Sequence, residues 1–183
     1  PLHQVPFQAL FDGQQYLIDR FEISYAPSAN IFALCQEQEP PRCDQALVLG
    51  VPDPMIPNVV AEVEAIAQQI TSADVLLGAQ ATLATFQSRA SAYNLLHFAC
   101  HGLFRADNPM FSALKLSDGW LTANDIMSLN LQGSLVTLSA CESGRSQVVG
   151  GDELIGLTRA FLGAGAASLV VSLWLVQDAV SAI

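Results

Sequence analysis

Apolar residues in this chain fall into short continuous runs that alternate with stretches of helical periodicity. The runs cover residues 46–50, 74–77, 94–99, 134–138 and 167–173. Runs this short, with little polar alternation, are typical of strands buried on both faces of a sheet. Helical spacing of apolar residues covers 59–70, 83–90 and 153–162. Strands that alternate with helices predict a parallel sheet that is covered by helices on both faces.

The first 45 residues show a different pattern, in which short strand-like segments lie between turns. Asp12-Gly13, between apolar flanks, predicts a hairpin turn. Apolar and polar residues alternate over 21–25, which predicts a half-buried strand that ends at Pro27-Ser28. We expect residues 36–45 to form a polar loop ahead of the first core strand.

Capping and turn residues mark further boundaries along the chain. Asn58 stands where it could cap the helix that follows. Thr122, with Asp125 three residues on, resembles a capping box and predicts a short helix to Leu129. Asp118-Gly119 predicts the turn of a small hairpin just before that helix.

The composition fits a single domain over residues 1–183. The chain is 51% hydrophobic and only 13% charged, which suits one substantial core. It begins at Pro1 without an initiator methionine and stops early in a helix-like pattern. We therefore interpret it as a fragment, truncated at both ends, of a longer protein. The net charge of −10 argues against direct nucleic-acid binding, which needs a basic face.

Residues 160–176 form an uncharged stretch of 17 residues that is almost long enough for a membrane span. Gly163 and Gly165 interrupt it, so a helix end, a turn and a buried strand explain it better, and we expect no membrane contact. We interpret Cys35 and Cys43 as free thiols rather than a disulfide, and the protein as cytoplasmic. No histidine lies near them, so we expect no zinc site.

Reactive side chains follow two of the predicted strands at the point where each strand ends. His101 follows the run 94–99, and Cys141 follows the run 134–138; both lie beside small residues. If these two parallel strands are neighbours, their carboxyl ends bring the imidazole and the thiol together. A Cys–His pair is the minimal machinery of a cysteine peptidase.

Strand geometry distinguishes this pair from the neighbouring His97 and Cys100. His97 lies four residues deeper than His101, roughly 13 Å along the strand, so we interpret it as a buried, hydrogen-bonded structural histidine. Cys100 points to the opposite face in a regular strand, so we interpret it as a core thiol. Gly102 leaves its N–H open, and together with the N–H of Cys141 it could bind an oxyanion.

Several stretches of the chain, taken in order, indicate a particular protein family, whereas the Cys–His pair alone indicates only a kind of chemistry. They are residues 1–7, 23–28, His97-Phe98-Ala99-Cys100-His101-Gly102, 114–119, Leu138-Ser139-Ala140-Cys141-Glu142-Ser143-Gly144, 151–153 and 172–174. In this combination they resemble the CHAT domain, a caspase-like domain associated with TPR repeats. More remotely, the chain is similar to separases, caspases and clostripain-type peptidases.

This resemblance implies a caspase–haemoglobinase-like fold, a three-layer α/β/α sandwich with a mostly parallel central sheet. It also implies that Cys141 is the nucleophile of a peptidase and His101 its catalytic histidine, which promotes thiolate formation and protonates the leaving amine. The N–H groups of Gly102 and Cys141 would stabilise the tetrahedral oxyanion. No third, acidic member of the catalytic set is expected from this family.

Cleavage after Arg or Lys, as in some relatives, would need a carboxylate in the specificity pocket. Asp53, Asp152 and Asp178 are the candidates, and each could equally be a solvated surface carboxylate. Trp174 could wall the pocket or pack in the core. Ser139 is a further candidate for substrate contact, because a small residue lets a ligand approach the backbone.

Two functions are compatible with these residues. The first is a cysteine endopeptidase acting on a protein or peptide substrate, whose activity could be latent until TPR-type repeats or a regulatory partner protein activate it. The second is a catalytically silent caspase-like domain that acts as a regulatory or protein-interaction module. The retained His101/Cys141 pair favours the first. We expect no cofactor and no metal site in either case.

Overall fold

A computed structural model describes residues 5–105, 107–142 and 155–172 of the chain. Its helices are α1 (Ala29–Gln36), α2 (Val59–Gln69), α3 (Leu83–Arg89), α4 (Ala123–Met127) and α5 (Ile155–Gly163). Its strands are β1 (Gln45–Gly50), β2 (Ser72–Leu77), β3 (Leu95–Leu103), β4 (Ala113–Lys115), β5 (Trp120–Thr122), β6 (Leu135–Glu142) and β7 (Ser168–Val171).

The strands form one seven-stranded sheet that is mostly parallel. Five strands pair in parallel in the order β2-β1-β3-β6-β7. β4 and β5 form the predicted antiparallel hairpin, which joins the sheet where Gly102 of β3 pairs with Leu114. Because β1 pairs with β3 only as far as Ala99, β4 replaces β1 beside the last residues of β3.

Helices cover both faces of the sheet, and alternate residues of each strand face one of two cores. Leu47 and Phe98 belong to the larger core, against α3, α4 and α5. Val48 belongs to the smaller core, where Val63 of α2 packs against it. Two buried faces explain why the central strands are continuously apolar. The predicted three-layer α/β/α arrangement is confirmed.

The capping signals of the sequence have different outcomes. Thr122 and Asp125 form the predicted capping box: the Asp125 N–H donates to Thr122 Oγ1 at 3.2 Å, and the Thr122 N–H donates to Asp125 Oδ2 at 2.9 Å. Asn58 lies at the N-cap of α2, but its side chain makes no capping hydrogen bond. Its backbone is already helical there, whereas a side-chain cap normally needs an extended N-cap residue.

The N-terminal segment contains one confirmed turn and one wrong prediction. Asp12-Gly13 forms a turn closed by an isolated bridge between Phe11 and Tyr16, with Gly13 at a φ of 102° that favours glycine. Residues 21–25 form no strand, and Phe21 is 54% exposed. None of residues 5–45 is buried, so the alternation over 21–25 has no core to face.

Helix α1 was not predicted, although the sequence carries a local signal for it. The side chain of Ser28 accepts a hydrogen bond from the N–H of Ile31 at 3.2 Å, as an N-cap serine does. Pro27-Ser28 therefore starts a helix, and the strand that it was predicted to end is not formed. The polar loop expected after it is present, since residues 39–44 are irregular up to the start of β1.

The interpretations of the uncharged stretch, as far as it is described, and of Cys35 and Cys43 are confirmed. Residues 160–171 contain the end of α5, a turn at Gly165 and the strand β7. Among the described residues, no helix combines the length and apolar character needed to cross a bilayer. Cys35 and Cys43 are free thiols rather than a disulfide.

A buried chain of polar side chains links α2, β3 and β6. His97 Nδ1 lies 2.6 Å from Oγ1 of Thr137, its register partner on β6. His97 Nε2 lies 3.2 Å from Glu62 Oε1, which is ion-pair distance, although the two groups are not aligned as a hydrogen bond. Both side chains are less than a tenth exposed. The structural role predicted for His97 is confirmed, and Glu62 is its unpredicted carboxylate partner.

We expect Glu62→Ala to destabilise the protein far more than Glu64→Ala, its matched control on the exposed side of α2. Loss of Glu62 leaves a buried imidazole nitrogen without its polar neighbour, which costs about 2 kcal/mol in free energy of unfolding. An exposed glutamate costs within about 0.5 kcal/mol. Urea denaturation followed by circular dichroism measures both, and equal losses would contradict a stabilising Glu62–His97 contact.

Candidate active site

The register of β3 and β6 brings the two predicted site residues together. The strands are parallel neighbours, and His101 is the register partner of Cys141. Adjacent strands lie roughly 5 Å apart in the sheet. The predicted side-by-side arrangement of these two strand ends is therefore confirmed at the level of the backbone.

The imidazole of His101 has one nitrogen engaged and one open. Its side chain is 13% exposed, and Nε2 lies 3.2 Å from Asp53 Oδ1, which is ion-pair distance, although here too the two groups are not aligned as a hydrogen bond. Nδ1 is buried and has no hydrogen-bond partner within the described part of the chain. Because buried polar atoms are normally paired, an open Nδ1 is a nitrogen available to another group.

Asp53 is held against His101 by the turn that follows β1. Its Oδ1 also accepts the N–H of Met55 at 2.9 Å, and its carbonyl oxygen accepts the N–H of Ile56 at 3.0 Å. Ile56 is 7% exposed and anchors the turn in the core beneath α2. Pro54 favours this geometry, because its fixed φ suits the second position of a turn and Asp readily bonds to the backbone two residues on.

The contacts of its carboxylate lower the pKa of Asp53 below its usual 3.8. The N–H of Met55 is the largest cause, and the side chain of His101 comes next. A group whose pKa is lowered on folding contributes stability above its unfolded pKa and loses it as the pH falls through the folded value. Asp53 is thus ionised throughout the neutral range.

Gly102 lies in a crowded position next to His101. A Cβ atom there would come within 2.7 Å of two ring atoms of Phe104 and 3.5 Å from the Cβ of Ala140. Gly102 also has register partners on both sides, Leu114 on β4 and Glu142 on β6. Its peptide group therefore lies inside the sheet. The oxyanion-binding role of its N–H, and that of Cys141, stays a prediction.

The residues predicted to contact substrate lie in different parts of the chain. Ser139 is a half-buried residue of β6 opposite Ala99. Asp152, Trp174 and Asp178 lie outside the described residues. Asp53 is described, and it faces His101.

The contact between Asp53 and His101 was not predicted, although the sequence places both residues just after predicted core strands. Once β1 and β3 are known to be neighbours, that shared position indicates that the two side chains can meet. Within the ranges that the structure describes, no cluster of three or more His, Cys, Asp or Glu side chains could hold a metal ion.

Cys100 does not belong to this site. Its side chain is buried in the larger core, on the opposite face of β3 from the small-core residue Ala99. Burial raises the pKa of the Cys100 thiol to about 12. The interpretation of Cys100 as a core thiol is confirmed, and it supplies no thiolate near neutral pH.

The parallel sheet, its helical layers and the paired strand ends define the class of this protein as caspase-like α/β. A family model described as CHAT domain matches residues 1–183, and the chain belongs to that family. The resemblance found in the sequence is thereby confirmed.

Two curated relatives share a shorter segment with this chain. Tetratricopeptide repeat protein 28 of Homo sapiens is 48% identical over 61 residues, which is 33% of this chain and 2% of that protein. Its counterpart in Mus musculus is 46% identical over 61 residues, again 33% of this chain and 2% of the relative. The match thus concerns a small part of two much longer proteins.

We expect Cys100 to resist alkylation in the folded protein. With a pKa of about 12, roughly one thiol in ten thousand is ionised at about pH 8. Iodoacetamide should modify the half-buried Cys35 well before Cys100, as read by peptide mass mapping, whereas in urea these two thiols should react alike. Equal modification of Cys100 and Cys35 in the native protein would show that Cys100 is not a core thiol.

Proposed function

We propose that this domain is a cysteine endopeptidase with His101 and Cys141 as its catalytic pair. The observation that carries the proposal is the register of β3 and β6, which sets the two residues opposite each other at the carboxyl ends of neighbouring strands. Active sites of open parallel sheets occur in this position. Membership of a family related to caspase-like peptidases supports the same reading.

The buried His97 shows that a histidine on β3 can reach the side chain of its register partner on β6. Nδ1 of His97 reaches the side chain of its register partner Thr137 at 2.6 Å. His101 lies two pleats further along the same strand, its Nδ1 is open, and its register partner is Cys141. By analogy, we propose that Nδ1 of His101 is the base that serves Cys141.

The proposed reaction uses this nitrogen for both proton transfers. Nδ1 of His101 takes the proton of the Cys141 thiol, and the thiolate attacks the carbonyl carbon of the scissile peptide bond. The imidazolium then gives its proton to the leaving amine as the C–N bond breaks, which leaves a thioester on Cys141. A water molecule, deprotonated by His101, hydrolyses the thioester and releases the acid product.

The substrate is a protein or peptide, and a preference for Arg or Lys before the scissile bond remains part of the proposal. Asp152 and Asp178 are candidate carboxylates for such a pocket, with Trp174 as a wall and Ser139 as a contact on β6. The net charge of −10 is compatible with a basic substrate segment.

We further propose that the domain works within a longer protein that contains TPR-type repeats. The relatives that share its sequence are named for such repeats. The repeats, or a regulatory partner, would hold the activity latent until they are rearranged. Free thiols at Cys35 and Cys43 support a reducing compartment such as the cytoplasm.

One observation favours the alternative of a silent regulatory or protein-interaction module. Gly102 has a register partner on each side, Leu114 on β4 and Glu142 on β6, so its N–H points toward a neighbouring strand. A pocket that cannot offer this N–H to an oxyanion would lose several kcal/mol of transition-state stabilisation, about 3 for one donor.

A peptide-library cleavage assay on the intact protein tests the two functions. We expect cleavage by the wild type and a loss of at least roughly a thousandfold for Cys141→Ala and for His101→Ala, as when one member of a catalytic pair is removed. Cys100→Ala is the matched control, because it removes a neighbouring thiol outside the site.

The outcomes of this assay separate the hypotheses. Full activity of Cys100→Ala with none in Cys141→Ala supports the proposed pair. Equal cleavage by Cys141→Ala and the wild type contradicts it. A wild type that cleaves no peptide, even after limited proteolysis or with its repeats present, is the result expected of the silent module.

A further inference from the structure

We infer that Asp53 is a positioning residue for His101, and not a carboxylate of the specificity pocket. The inference rests on the proposed peptidase function, because it assigns a third, acidic member to its catalytic pair. It departs from what the family resemblance implies, which is a dyad without such a member. The starting observation is the 3.2 Å distance between Asp53 Oδ1 and His101 Nε2.

The order of the strands supports an arrangement in which His101 lies between Asp53 and Cys141. β3 lies between β1 and β6, so His101 stands between the turn after β1 and the end of β6. Asp53 approaches His101 from the side of β1. On the side of β6, the register partner of His101 is Cys141. The histidine therefore has a carboxylate on one side and the thiol-bearing residue on the other.

The carboxylate is held in place independently of the histidine. Oδ1 of Asp53 accepts the Met55 N–H, and the turn is closed by the Ile56 N–H on the Asp53 carbonyl. Ile56 is packed in the small core. A fixed acceptor constrains the ring that it contacts, so the position of His101 is set by the fold of the turn.

This contact also determines which ring nitrogen carries the proton. A neutral imidazole has one N–H donor and one acceptor, and a carboxylate accepts only from the N–H. Because Asp53 faces Nε2, the neutral ring keeps its proton there and leaves Nδ1 as the base. When Nδ1 takes the thiol proton, the same carboxylate stabilises the imidazolium that forms.

These contacts argue against a role for Asp53 in binding a substrate guanidinium. A specificity carboxylate works by offering both oxygens to the ligand in a paired, fork-like geometry. Oδ1 of Asp53 is already shared between the Met55 N–H and His101 Nε2. A positively charged imidazolium next to it would also compete with a substrate cation.

The test compares Asp53→Asn with the wild type in the intact protein. Asparagine keeps an oxygen that can accept the Met55 N–H, so the turn is retained, while the charge is removed. Asp12→Asn is the matched control: Asp12 sits in a similar turn, where Oδ1 accepts the N–H groups of Gln14 and Gln15, and has no contact with His101. Asp53→Glu tests rescue by a longer carboxylate.

The first readout is the cleavage of a set of peptides that differ in the residue before the scissile bond. If Asp53 orients His101, Asp53→Asn lowers kcat at least roughly tenfold for every cleaved peptide, with KM unchanged, whereas Asp12→Asn equals the wild type. We expect Asp53→Glu to recover part of kcat. A loss confined to peptides with Arg or Lys, expressed in KM, would overturn the inference and return Asp53 to the specificity pocket.

The second readout needs no substrate and separates this inference from the peptidase proposal. Long-range ¹H–¹⁵N correlation spectra, assigned with His101→Ala, should show His101 protonated at Nε2 in the wild type and a mixture of tautomers in Asp53→Asn. This result supports the positioning role even if no peptide is cleaved. Unchanged tautomer populations in Asp53→Asn would overturn it even in an active peptidase.

Discussion

The parallel pairing of β3 with β6 is the interaction on which the rest of this structure depends. It runs in register from Leu95 opposite Leu135 to Gly102 opposite Glu142, in the middle of the sheet. Both faces of this part of the sheet are buried, so a slip by one residue would move every side chain of a strand to the wrong core. The same register that packs Phe98 against Phe161 in the larger core also places His101 opposite Cys141 at the rim.

The second constraint is the unequal length of the strands beside β3. β1 ends at Gly50, where a Cβ atom would lie 2.7 Å from Val63 of α2, so the helix packs directly over the strand end. The chain then leaves the sheet and turns at Asp53, while β3 continues and is joined by β4. The step between the end of β1 and the end of β3 is the space in which the Asp53 turn meets His101. The position of the candidate site thus depends on β1 ending before β3.

The parts of this structure that could be predicted from the sequence are those that local pattern determines. Continuous apolar runs located the core strands, and strand alternation separated His101 from Cys100. Glu62 was within reach too, because it lies at helical spacing between Val59 and Val63 on the buried face of α2. The contact of Asp53 with His101 depends on strand order, which local pattern does not encode. The strand expected at 21–25 failed because alternation indicates a strand only where a core is present to bury one face.

The two histidines of β3 differ in one feature that separates the structural imidazole from the proposed catalytic one. Each has a carboxylate oxygen 3.2 Å from Nε2, Glu62 for His97 and Asp53 for His101. A neighbouring carboxylate is therefore not what distinguishes the proposed catalytic histidine. The difference lies at Nδ1, which Thr137 satisfies in the core and which stays open at the rim. The strand register repeats along β3: a hydroxyl opposite the inner histidine completes a buried network, whereas the outer histidine has a cysteine as its register partner and an open Nδ1, the arrangement on which the proposed proton transfer rests.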